Sequence, residues 1–130
     1  MSKPRIMFYE DGRHAHIYNY EPPMDKEEYA DVVDRLLGTP IDAMVICLGE
    51  GRTMLHDTKA GELWGENVDK WPHLPWRRTY QNAKSLIESG NDPLRIVCDR
   101  GRKHGLPIYP SLIVQNGGSD RGEDSPIWVR

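Results

Sequence analysis

Strand-like and helix-like segments alternate along this chain, and that alternation limits its possible folds more than any other feature. Residues 43–48, Ala-Met-Val-Ile-Cys-Leu, form an unbroken apolar run. A strand without polar alternation must be buried on both faces, as in a parallel sheet covered by helices. Residues 5–9, Arg-Ile-Met-Phe-Tyr, read as a shorter strand of the same kind, ended by the turn signal Glu10-Asp11-Gly12. A third strand is expected over residues 106–114, with Pro107 and Pro110 near its start because proline removes a ladder donor.

Between these strands the helical signals are strong. Asp25 as N-cap and Glu28 three residues later make a capping box. Tyr29, Val32, Val33, Leu36 and Leu37 keep helical spacing, Gly38 supplies the cap and Pro40 blocks continuation. A loop of about thirty residues follows the second strand and holds His56, Trp64, Trp71, His73 and Trp76; such length calls for a functional or packing reason. Further helices are expected over residues 79–88 and from Asp92, with Pro93 at its first position, to His104-Gly105.

Strands separated by helices imply right-handed crossovers and a parallel sheet. The expected fold class is therefore α/β, built of parallel βα units with about three strands. A complete TIM-type barrel takes eight such units over roughly 250 residues. The 130-residue chain thus reads as an incomplete, partial TIM-type barrel over residues 1–118, with a Gly-, Asp- and Ser-rich mobile tail over residues 119–130.

Composition narrows the partners. A net charge of -3 leaves no electrostatic case for nucleic acid. The basic stretches Arg77-Arg78 and Arg100 to Lys103 read as solvated helix faces. No apolar run approaches the roughly 18 residues of a membrane span, and the first residues do not form a signal peptide. A cytoplasmic location without membrane contact is expected. Cys47 and Cys98 fall in apolar segments and read as buried free thiols.

In parallel α/β sheets, ligands bind beyond the carboxyl ends of the strands. That rule selects Glu10, Asp11, Arg13, His14 and His16 after the first strand, Glu50, Arg52, His56 and Asp57 after the second, and Gln115 with Asn116 after the third. Glu10, Asp11 and Glu50 are the candidate catalytic carboxylates, since glycoside hydrolysis needs two within about 5 to 10 Å and neighbouring strands lie about 4.8 Å apart. Arg13, His14, Arg52, His56, Asp57 and Gln115 are candidate substrate-binding residues, joined by Trp64 because an aromatic face stacks on a sugar ring. His14-Ala15-His16 could present two imidazoles to one ion, but a site needs further ligands. No metal or cofactor is expected; His14 and His16 are the metal candidates, with His56 and Asp57 as possible further donors. Gly49-Glu50-Gly51-Arg52 lacks the third glycine and the following helix of a dinucleotide fingerprint.

These residues also carry a resemblance. Asp92-Pro93-Leu94 through His104-Gly105-Leu106-Pro107-Ile108-Tyr109-Pro110 looks like the helix-then-strand step of glycoside-hydrolase-type barrels. The segment from Arg5 through Glu10-Asp11-Gly12-Arg13 is similar to the amino-terminal part of bacterial glycosyl-hydrolase-like proteins. So are Cys47-Leu48-Gly49-Glu50-Gly51-Arg52-Thr53, His56-Asp57-Thr58-Lys59 and Glu62-Leu63-Trp64-Gly65. The resemblance spans most of residues 5–118 and implies a TIM-type barrel that binds or hydrolyses carbohydrate, or descends from proteins that do. In such barrels the acid/base and nucleophile usually follow later strands, so it implies a binding rim at Glu10, Asp11, Arg13, Glu50 and Arg52 without activity in this chain alone.

Two other functions fit parts of the pattern. A metal-dependent hydrolase of the amidohydrolase kind ends its first strand in a His-x-His pair, although His14 and His16 stand several residues beyond. A non-enzymatic α/β module could instead self-associate through an exposed sheet edge.

Overall fold

The computed structural model describes residues 3–12 and 17–114. Their elements, in chain order, are β1 (Met7–Asp11), α1 (Lys26–Asp34), β2 (Ala43–Glu50), β3 (Thr53–Met54), β4 (Glu62–Leu63), α2 (Leu74–Glu88), α3 (Pro93–His104) and β5 (Ile108–Ile113). Among the described residues this is an α/β unit with three helices and one five-stranded sheet.

β2 is the axis of the sheet. It pairs in parallel with β1 (Tyr9 opposite Val45) and with β5 (Val45 opposite Tyr109), so the three longest strands lie side by side with β2 in the middle. The sheet is nonetheless mixed, where a purely parallel one was expected. Gly51 turns with a φ of 60° and lets the chain fold back at once. β3 then runs antiparallel to β2, and β4 adds parallel to β3. Thr53 Oγ1 donates to the Glu50 carbonyl across this turn at 2.9 Å. Part of the long loop is therefore sheet. Another part is helix, because α2 begins at Leu74 rather than residue 79, with a proline accommodated in its first turn.

The other helices follow their signals closely. Asp25 caps α1 with the reciprocal bonds of a capping box, Glu28 N–H to Asp25 Oδ1 and Asp25 N–H to Glu28 Oε2, both at 2.8 Å. α1 gives way to a tight turn at Arg35, before Gly38. Asp92 caps α3, and Gly105 ends it at a left-handed φ of 69°.

The strands have two unlike faces. Met44, Ile46 and Leu48 of β2 join one buried cluster with Val32 and Val33 of α1, Leu86 of α2 and Ile96 and Val97 of α3. The opposite face carries Met7 and Tyr9 of β1, Val45 of β2 and Tyr109 of β5. Tyr9 is 54% exposed and Tyr109 38% exposed, so no described element covers these two rings. The described helices lie on one side of the parallel strands; on the other, which we call the bare face, Tyr9 and Tyr109 stay exposed while Ala43 and Cys47 of β2 are buried.

β5 shows why its prolines are tolerated. Met44 N–H donates to Pro107 O, and Gly51 N–H to Ile113 O, so odd-numbered residues of this strand turn their backbone groups toward β2. Pro110 sits in the alternate set, and its missing N–H falls on the edge that no described strand pairs.

Candidate functional site at the carboxyl ends of the strands

The carboxyl ends of β1 and β2 are held together by a close backbone approach. Gly12 N–H donates to Cys47 O at 3.0 Å, and a Cβ on Gly12 would stand 2.7 Å from that oxygen. Only glycine fits there. It closes the end of β1 against β2, just before Arg13, His14 and His16 in the sequence. Those three, together with Gln115, Asn116 and the expected tail over 119–130, lie outside the described residues.

On the bare face, Asp11, Cys47 and Ser111 follow the row of Tyr9, Val45 and Tyr109 toward the strand ends. Cys47 is buried, and its Sγ approaches Gly49 O at 3.2 Å. Asp11 and Ser111 are half-buried, and Ser111 Oγ donates to Ile46 O at 3.3 Å. Aromatic rings next to hydroxyl and carboxylate groups suit a polyhydroxylated ligand.

The two candidate glutamates are placed differently. Glu10 pairs in register with Ile46, while Glu50 stands four residues further along β2. The register does not set them side by side. Both are buried. Glu10 belongs to the helix-covered face, where Arg35 Nη2 donates to its Oε2 at 2.6 Å and its Oε1 has no partner. Burial raises the Glu10 carboxyl above the ordinary range, against the attraction of Arg35, and Asp11 adds to the rise. The buried Tyr29 hydroxyl is pushed up by burial first, then by Glu10 and Asp92. Glu10, Arg35 and Tyr29 therefore form a polar cluster between β1 and α1.

Arg52 is exposed on the turn between β2 and β3. His56 and Asp57 are carried away from that turn toward α3. Asp57 N–H donates to Asp92 Oδ1 at 2.6 Å, and Asp92 Oδ2 accepts from Arg95 N–H at 3.1 Å, so one N-cap carboxylate holds both loop and helix. His56 Nδ1 lies 3.1 Å from the Asp57 carbonyl.

Trp64 is 3% exposed. Its ring centroid is 6.2 Å from those of both Trp71 and Trp76, and Trp71 stacks on Tyr80 at 5.5 Å. Trp64 therefore has no face open to a sugar and serves as the hub of an aromatic cluster. The half-buried Trp71 and Trp76 keep accessible edges.

Sequence reasoning missed Asn82, which ties α2 to the segment after β1. Its Nδ2 donates to Ile17 O at 2.6 Å and Tyr20 O at 3.0 Å, and its Oδ1 accepts from Met24 N–H at 3.1 Å. The available signal was a lone amide among the inward residues Thr79, Ala83 and Leu86 of one helix face. Arg100 also departs from the expected solvated face. Its side chain is 15% exposed and pairs with Glu27 and Asp34 of α1.

Among the described residues no three His, Cys, Asp or Glu side chains are grouped to hold a metal. Nor is any described helix long and apolar enough to cross a membrane. Comparison with protein-family models and with curated proteins gives no match.

Proposed function

We propose that this chain is the amino-terminal portion of a glycoside-hydrolase-like barrel, supplying carbohydrate binding rather than a complete catalytic centre. The supporting observation is the one-sided sheet. β1, β2 and β5 lie in chain order, their helices share one core, and the bare face presents Tyr9, Tyr109, Asp11 and Ser111 toward the strand ends. In a TIM-type barrel that face lines the interior, and ligands enter at its carboxyl end. Asp11 and Arg52 are the binding residues of this reading, with Arg13, His14 and Gln115 next to the strand ends in sequence; Glu50, 2% exposed, is left out. Trp64 is left out because it is enclosed.

Calorimetric titration with a panel of neutral oligosaccharides tests the proposal, together with a reducing-sugar assay for hydrolysis. The expected result is binding without turnover, weakened at least fivefold by Asp11→Asn or Arg52→Ala. Absence of binding to every saccharide would reject it, as would binding that neither substitution alters.

Self-association has its own support in the exposure of Met7, Tyr9 and Leu112 on or beside the bare face. Sedimentation at rising concentration distinguishes the two, because a carbohydrate surface predicts a monomer.

A further inference from the structure

A second recess lies outside the strand-end site, between the first turns of α2 and the segment leading into it. Leu74, Arg77 and Gln81 recur at helical spacing along one side, Asp69, Lys70 and Trp71 form the other, and Tyr80 closes the recess. Its volume is about 520 Å³, within the range of roughly 300–1,000 Å³ that suits a small ligand.

The chemistry of the walls is specific. Leu74 is 68% exposed, so the recess has an apolar surface that no described element covers. Trp71 and Tyr80 are fixed rather than floppy: they stack on each other, and the Tyr80 hydroxyl donates to Glu66 Oε2 at 3.2 Å. Lys70 and Arg77 are both exposed, and among the described residues neither has an ion-pair partner. Gln81 and Asp69 add hydrogen-bonding groups suited to hydroxyls. Two unpaired cations against one carboxylate favour an anionic group, and the apolar wall favours the ring that bears it.

We infer that this recess is a subsite for an acidic sugar, with Lys70 and Arg77 gripping the carboxylate of a uronic acid whose ring lies against Leu74 and the edge of Trp71. The inference rests on the carbohydrate reading above and deepens it by naming the substrate class. Arg77 supplies the planar fork that matches a carboxylate, and Lys70 a second, flexible charge.

The test compares trigalacturonate with its methyl ester, which keeps the sugar and removes the charge. Titration of wild-type protein is expected to show the acid binding at least tenfold tighter. Lys70→Gln with Arg77→Gln should erase that difference and leave the ester's affinity within twofold. Both positions are exposed, so the fold should survive, and circular dichroism checks it. Lys103→Gln, an exposed charge removal at the far end of α3, should change neither affinity. Equal affinity for acid and ester would overturn the inference while leaving carbohydrate binding intact. The acidic-sugar subsite is equally overturned if neutral oligosaccharides bind and neither galacturonate does, or if Lys103→Gln is as damaging as the double variant. Failure of every saccharide would remove the carbohydrate reading itself.

Discussion

The Glu10–Arg35 pair shows how one residue's setting decides its role. Glu10 ends a strand, as a rim carboxylate would, but it faces the helices and lies 2% exposed beneath Arg35. Breaking a buried pair leaves a charge stranded, and because Arg35 is itself 35% exposed the cost is discounted. Arg35→Met is expected to destabilise the fold by about 2 kcal/mol in urea denaturation. The pH dependence has a definite sign. Folding raises this carboxyl's pKa, so the folded chain holds the proton more tightly than the unfolded one. The group's contribution is therefore fully present below its unfolded value and is lost as pH rises through the folded value. Glu10→Gln should thus cost less at pH 8 than at pH 5, and a larger cost at pH 8 would mean that Arg35 outweighs burial. The sequence revealed a carboxylate at the end of β1. It could not reveal which face that carboxylate occupied, because a turn signal marks where a strand stops and not how its pleat is rotated.

The elements were legible where local chemistry closes on itself. The Asp25–Glu28 capping box and the Asp92, Pro93 and Gly105 signals of α3 all act within one turn, and each appears as expected. The start of α2 was not legible, because Leu74 and Pro75 resemble loop until the partners that hold them are known. Two glycines of the α3 region separate propensity from packing. A Cβ on Gly105 meets nothing, so Gly105→Ala bears only the left-handed backbone strain, about 1 kcal/mol. A Cβ on Gly101 would lie 2.4 Å from Ile108 Cγ1 and 2.6 Å from Leu106 O. Gly101→Ala should therefore destabilise by about 3 kcal/mol despite alanine's better helix propensity, which thermal unfolding of the two variants would reveal. Asn82 is the long-range counterpart, with three bonds that span 58 to 65 residues of sequence. Asn82→Ala leaves buried backbone groups at Ile17, Tyr20 and Met24 without partners, and about 3 kcal/mol should be lost. Limited proteolysis should then cut first between residues 17 and 24.

At the scale of the whole molecule, the parallel core of β1, β2 and β5 was legible because unbroken apolar strands joined by helices admit few arrangements. The antiparallel turn-back at Gly51 was not, since a two-residue strand leaves no periodicity to read. Among the described residues, Met7, Tyr9, Tyr109 and Leu112 and the edge of β5 away from β2 give the sheet its exposed apolar character. Pro110 deprives that edge of one donor, which hinders a strand from another molecule. Pro110→Val should preserve the fold and increase light scattering on incubation at high concentration, whereas unchanged scattering would show that the edge is protected otherwise.

β1, β3 and β5 all pair directly with β2. Its central residues, Met44 to Cys47, lie between β1 and β5, so deuterium reaches their amides only when the interior of the sheet opens, which ties exchange there to the largest unfolding events. Ile46 and its neighbours should be the last protons in the molecule to wash out.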